Sequence, residues 1–340
     1  MRRMNAPLPP TAQPVVARQP DLASAAHSCG MPVLALLGLA LLLWLRGSGS
    51  DAAPLLSAGT PFEAQLLLAL NRWGAQAPIL WSSLSVLGLG LSAWLVLLML
   101  LRPERPHHAR VQAALIWCLP IGGLLTHLPK QWLGWPRPAA VLGESLQVIG
   151  QPLFQHAMPS GHALTAFTVA ALCSLGRVGA RPLRLGLWLL AMAVALSRVV
   201  VGAHWPGDVL AGAALGLLCA WLGYLAAGQG RLSQWLALRS ARVAAALLLA
   251  AGGVTLLGLK TGYPLAATFQ LLLGLAAVGV ATVRVVYWVG LYRGESSLPR
   301  QPAATLWRQI RRGSRSLPPG REQSRQADTL GLHLGRRNAA

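Results

Sequence analysis

The chain has 340 residues, of which 54% are hydrophobic and only 11% charged, and its mean hydropathy is +0.51. Length alone would divide it into two or three soluble domains, but this composition excludes that and reads as a polytopic membrane protein. The net charge of +20 does not mark a nucleic-acid binder. Most of it lies on one side of the apolar segments and in the C-terminal tail, and no nucleic-acid fold signature is present.

In chain order, residues 1–30 are rich in Pro, Ala and polar residues and are expected to be a disordered cytoplasmic arm. Pro32 to Leu45 is a short apolar run, expected to be a retained first span rather than a cleaved signal, because Arg46-Gly-Ser-Gly-Ser is a poor cleavage site. Phe62 to Trp73 places Leu66, Leu67, Leu70 and Trp73 at helical spacing, with Glu63 and Arg72 at its ends, and predicts an interfacial helix. Spans follow at about 80–101, 111–128, 162–176, 183–201, 208–227, 242–259 and 265–290, with Arg284 near the end of the last one and able to snorkel. This gives an all-α, polytopic membrane helix bundle of about eight helices. From Arg293 onward the chain is polar, Arg-rich and interrupted by prolines, a basic tail. Cys118, Cys173 and Cys219 fall in apolar runs as small buried hydrophobes, and no spacing of Cys or His implies a metal.

Charges are costly in so apolar a context, so those at the edges of spans are functional candidates. Ser197 to Asp208 carries Arg198, His204 and Asp208 between two apolar stretches, and Asp208 is the only acidic residue between Glu144 and Glu295. Pro206 suits a first helical position, which puts Asp208 in the first turn, able to reach back toward His204 as a capping-box acid does. An Asp on one imidazole nitrogen leaves the other free as nucleophile or base; the same residues also fit a capping Asp beside an interfacial His. Pro159-Ser160-Gly161-His162 opens another apolar run, with Ser160 as N-cap and the Gly161 and His162 N–H groups forming an anion site. Upstream, Lys130 precedes Arg137-Pro138 by seven residues. Taken alone, these two also fit solvated loop cations.

The three stretches, K-x6-R-P, P-S-G-H and S-R-x5-H-x3-D, in that order and each at the edge of an apolar segment, resemble the phosphatidic-acid phosphatase type 2 (PAP2) superfamily. The motifs cover residues 130–208 and the similar helix layout roughly 60–227; the family often has Ser or Thr where Gly207 stands, a difference expected to matter little. The resemblance implies a six-helix core over residues 31–227, leaving 228–292 as two additional transmembrane helices and 293–340 as the tail. It implies hydrolysis of a lipid phosphate or polyprenyl diphosphate, with no cofactor. His204 would be the nucleophile that forms a phosphohistidine, oriented by Asp208, and His162 would protonate the leaving oxygen and then activate water. Lys130, Arg137, Ser160, Gly161 and Arg198 would bind the phosphate. From the residues alone, either histidine could attack. Trp205 is expected at the membrane interface, and His156 and His127 are expected to be structural.

The Lys/Arg bias orients the chain. Flanks carrying Arg102, Arg105 and Arg110, Arg177, Arg181 and Arg184, and Arg231, Arg239 and Arg242 are expected to be cytoplasmic, with both termini. All three motifs then fall on the outer face. Few lysines against many arginines, with abundant Ala and Leu, fit a GC-rich bacterial genome, an inner membrane and a periplasmic site. A polyprenyl diphosphate, phosphatidic acid, phosphatidylglycerol phosphate and a lipid A phosphate all suit such a site. The alternatives are a lipid phosphotransferase using the same phosphohistidine, a haloperoxidase-like vanadate site, and a transporter or scaffold indifferent to His204.

Overall fold

The computed structural model of the chain describes residues 59–102, 105–228, 232–236 and 238–297, with a few positions between 30 and 39. The expected arm, most of the expected first span and nearly all of the tail lie outside the described residues. The chain forms two compact units, Met1–Gly290 and Leu291–Ala340, and every site residue belongs to the first. Among the described residues the regular structure is helical throughout, as the composition and periodicity predict.

Helix α1 (Pro61–Gly74) starts with a full capping box, in which Thr60 accepts from the Glu63 N–H and Glu63 accepts from the Thr60 N–H. It leads into α2 (Pro78–Leu87) and α3 (Gly90–Leu100). These two occupy the single span predicted over 80–101, but they meet at a bend of 71°. The break falls at Gly88-Leu89, where a Cβ on Gly88 would lie 2.5 Å from Val194 and 3.2 Å from His162. Close approach of other helices, which only a glycine permits here, coincides with the bend. Helix α4 (Pro106–Leu133) contains Pro120 and Pro129 and ends on Gly134 in the left-handed conformation, whose N–H is donated to the Lys130 carbonyl. A short α5 (Pro138–Leu142) precedes the loop to α6 (Gly161–Leu175), α7 (Arg181–Val200) and α8 (Pro206–Gly228). After α9 (Leu232–Leu236) come α10 (Arg239–Gly258) and α11 (Ala267–Ser297).

Among the described residues, five helical stretches, His107–Ser145, Arg181–Val200, Pro206–Gly228, Ser240–Gly258 and Pro264–Gly290, are long and apolar enough to cross a membrane, and the bent pair α2–α3 is a sixth if it counts as one span. The span expected at 162–176 is a helix of only 15 residues, short for a bilayer on its own. It is central instead: Ala163, Ala170, Ala171, Leu172 and Cys173 are buried against α4, α7 and α8. Arg284 does not snorkel. Its guanidinium donates to the carbonyls of Leu98, Met99 and Leu101 at 2.8 Å each, satisfying the acceptors left over at the end of α3.

The close helix contacts run through small residues, the usual solution where lipid removes any hydrophobic drive for helices to associate. A Cβ on Gly212 would lie 2.3 Å from the Ser160 carbonyl oxygen, and one on Gly216 2.4 Å from the Leu164 carbonyl oxygen. Helix α8 therefore touches the backbone of α6, and at Gly212 it does so at the start of α6, where the candidate site begins. Gly123 on α4 has open space around its Cβ position. We expect Gly212→Ala to destabilise the detergent-solubilised protein by about 1–3 kcal/mol through overpacking, while Gly123→Ala leaves the thermal unfolding temperature unchanged or slightly raised. Equal unfolding temperatures for the two variants would contradict this packing.

Candidate active site

The helix order brings the three motif stretches to one end of the bundle. Lys130 lies in the last turn of α4, Ser160 and His162 at the start of α6, Arg198 in the last turn of α7, and Asp208 in the first turn of α8. Alternating helices deliver C-terminal cations and N-terminal N–H groups to the same level, so the positive ends of the α6 and α8 dipoles add to the cations.

Asp208 takes the position expected of it. With Trp205 preceding Pro206, its Oδ2 accepts the Trp205 N–H at 2.9 Å, the reach-back of a capping-box acid. The same oxygen is 3.6 Å from His204 Nδ1, which is beyond hydrogen-bond length but close enough to orient the ring electrostatically. The other ring nitrogen, Nε2, lies 3.2 Å from Arg137 Nη1. A guanidinium only donates, so this contact requires a lone pair on Nε2 and leaves the proton on Nδ1, facing Asp208.

Arg137 is buried and held on all sides by carbonyls. Its Nε donates to Gln155 at 2.8 Å, Nη1 to Ala203 at 2.9 Å and Nη2 to His156 at 3.3 Å. Lys130 Nζ donates to the same His156 carbonyl at 2.8 Å, and His156 Nδ1 returns a bond to the Lys130 carbonyl at 2.8 Å. His156 adopts a left-handed backbone with φ of 59°, uncommon outside glycine, and this turns its carbonyl toward both cations. Arg198, only 2% exposed, donates through Nη1 to the Tyr263 hydroxyl at 2.6 Å. Its backbone carbonyl accepts from the His204 N–H at 3.1 Å, which ties α7 to the His204 loop.

Ser160 is the residue before α6, but its hydroxyl does not cap the helix. Instead the Ser160 N–H is donated to the Asp208 carbonyl at 2.9 Å. Ser160 Oγ, His162 Nε2, Arg198 Nε and His204 Nδ1 are buried atoms without a hydrogen-bond partner among the described residues. Polar atoms left so at one place mark a site that binds a polar group. The structure thus brings Lys130, Arg137, His204 and Asp208 into one bonded network with Ser160 and Arg198, and sets Gly161 and His162 at the neighbouring helix start.

Several residues here were not singled out by the sequence. Glu63 Oε1 accepts the Gly207 N–H at 2.7 Å, so α1 is docked on the start of α8 rather than lying loosely at an interface. Asn71, on the same helix, donates to the carbonyls of Gln147 and Val200 at 2.7 and 2.8 Å and accepts from the Gln147 N–H. The Thr60-x-x-Glu63 capping box was a visible signal, but its second use on α8 was not. Trp205 is not an interface anchor. It is 1% exposed, donates through Nε1 to the Pro136 carbonyl at 3.1 Å, and packs with Leu67, Ala157 and Val209.

Fold and site together define a polytopic helical membrane protein with a cationic, imidazole-bearing centre at one end of its helices. Residues 111–231 match the family described as the PAP2 superfamily, and this segment contains all eight expected site residues. Among solved structures, LpxE of Aquifex aeolicus is similar, at 26% identity over 47% of this chain and 92% of that one, with a TM-score of 0.39. No curated protein sequence matches the chain.

His204 follows α7 and precedes α8, outside the spanning segments. Burial, then the positive charges of Arg137, Arg198 and Lys130, hold its ring well below the ordinary imidazole value of 6.5. A depressed pKa means the folded protein keeps this ring neutral as pH falls through 6.5. A histidine-resolved NMR titration of the ligand-free protein should therefore find His204 still neutral, with its proton on Nδ1, at pH 6.5. A ring half-protonated above pH 6.5 would contradict the electrostatics of this site.

Proposed function

We propose that the protein is an integral-membrane phosphatase that hydrolyses a lipid phosphate or polyprenyl diphosphate through a phosphohistidine. The observation that carries this reading is the placement of His204, with Nε2 3.2 Å from Arg137 Nη1 and Nδ1 3.6 Å from Asp208, in a site with three cations. In the proposed cycle, Lys130, Arg137, Arg198 and the N–H groups at the start of α6 hold the non-bridging phosphoryl oxygens. Nε2 attacks phosphorus as Arg137 Nη1 shifts from the ring to the phosphoryl oxygens. The bond from phosphorus to the leaving oxygen breaks, that of the lipid alcohol or, for a diphosphate, of the lipid monophosphate. His162, protonated once the anionic substrate is bound, delivers its proton to that oxygen. His162 then takes a proton from water, whose oxygen attacks the phosphohistidine and releases phosphate and free His204. Asp208 stabilises the ring as it gains charge. Positioning and charge stabilisation supply the catalysis, as phosphoryl transfer requires.

A lipid substrate is supported by the surroundings of His162. A cavity of about 450 Å³ lined by Gly88, Leu89, Trp94, Leu119, Gly122, Leu164 and other residues extends from His162 and Gly161 between α3, α4 and α6. It is largely apolar, has the volume for part of an acyl or prenyl chain, and is adjacent to the group that would protonate the leaving oxygen.

The decisive assay is phosphate release by purified protein from a panel of lipid phosphates in detergent, with no acceptor added. We expect release from at least one, and His204→Ala to lower it by more than about a thousandfold while the protein still folds. Asp208→Asn should cost less, because it weakens orientation without removing the attacking atom. Wild-type turnover by the His204→Ala protein would overturn the assignment.

The charge bias of the loops supports an outer-face site, with residues 102–110, 177–184 and 228–242 on the cytoplasmic side. In that orientation the enzyme acts on lipids displayed in the outer leaflet. Labelling tests this in a Cys-free background. Gly143 has a φ of 51° that resists a side chain, so exposed Glu144 beside it is the better probe. Glu144→Cys should react with an impermeant maleimide in intact spheroplasts, and His107→Cys only after lysis. The reverse pattern would place the site in the cytoplasm and redirect the substrate to the inner leaflet.

A further inference from the structure

The family segment ends at residue 231, and α10 and α11 lie beyond it. The loop that joins them nevertheless reaches the centre of the site. It carries Tyr263, whose ring is buried against Trp81, Ile149, Val201 and Ala266. The loop is pinned by the Gln151 N–H, donated to the Gly262 carbonyl at 2.9 Å. Gly150 makes room for the ring: its φ is +97°, and a Cβ there would lie 2.7 Å from ring atoms of Tyr263. The hydroxyl accepts Arg198 Nη1 at 2.6 Å, and the guanidinium carbon is 5.5 Å from the ring centroid.

The type of partner matters. A carboxylate at this place would satisfy the guanidinium but cancel its charge and compete with a bound anion. A phenol oxygen accepts one N–H and fixes the plane of the fork, yet leaves the full positive charge available. Arg198 Nε has no partner among the described residues, so the fork held by Tyr263 still has donors to offer. We propose that Tyr263 is a positioning residue that pre-orients Arg198 for the phosphoryl group, so that the C-terminal helix pair completes the active site. This rests on the reading of Arg198 as a phosphate ligand.

The test is equilibrium binding of orthovanadate to the full-length protein in detergent, measured by calorimetry for wild type, Tyr263→Phe, Arg198→Lys and the double variant. Phe keeps the buried ring but leaves Arg198 Nη1 without that acceptor, so the protein should still fold, with an unfolding temperature a few degrees below wild type. Tyr263→Phe should weaken vanadate binding about tenfold, the size expected for a lost hydrogen bond to a charged group. In the Arg198→Lys background the same change should have less than about a twofold effect, because a lysine has no planar fork to orient. A purely structural tyrosine would produce the same loss in both backgrounds. Wild-type affinity in Tyr263→Phe, or a loss that persists in full beside Arg198→Lys, overturns the proposal alone. Absence of vanadate binding by the wild-type protein overturns the phosphate reading and this proposal with it.

Discussion

Arg137 donates to the carbonyls of Gln155, His156 and Ala203 and approaches His204 Nε2, so one buried guanidinium joins the end of α4, the loop before α6 and the loop before α8. An arginine buried at the edge of apolar helices requires its N–H groups to be satisfied. Neutral oxygens converging from separate segments, here carbonyls, do so without cancelling its charge. Packing of those segments and retention of the charge are therefore one requirement. The left-handed His156 is the local expression of it, because it aims one carbonyl at both Lys130 and Arg137.

The same division of labour extends through the site. Each of the three cations is held by a neutral acceptor: Lys130 and Arg137 by carbonyls, Arg198 by a phenol. Among the described residues, the buried carboxylates Asp208 and Glu63 both bond the start of α8. Asp208 accepts from Trp205 and Glu63 from Gly207, both backbone N–H groups at the start of α8. Carboxylates thus fix the helix that carries the site, and oxygens without charge fix the cations. A net positive centre survives burial, as the proposed stabilisation of a phosphoryl group in transit would need.

Backbone proximity sets the scale of the whole arrangement. Gly212 and Gly216 let α8 touch α6, and Gly88 lets the bent α2–α3 pair pass beside His162 and Val194. At each place a side chain would push a helix away from a catalytic candidate. The small residues of the bundle are therefore positioned as tightly as the charged ones, although they carry no chemistry.

Much of this was legible in the sequence by itself. Apolar runs with helical spacing determined the bundle, because a membrane leaves a backbone few other ways to satisfy itself. The scarcity of charge made Lys130, Arg137, Arg198, His204 and Asp208 conspicuous, and Pro206 placed Asp208 where it could reach back to Trp205. These are local properties, set by near neighbours or by composition. The tertiary structure alone decided that Glu63 supports α8, that Trp205 is core rather than interface, that Arg284 closes α3, and that Tyr263 meets Arg198. In each of these pairs the partners are separated by tens to hundreds of residues, or a residue's role depends on which face is covered. No periodicity or spacing encodes such pairings; they exist only once helices have packed and buried polar groups have found the acceptors within reach.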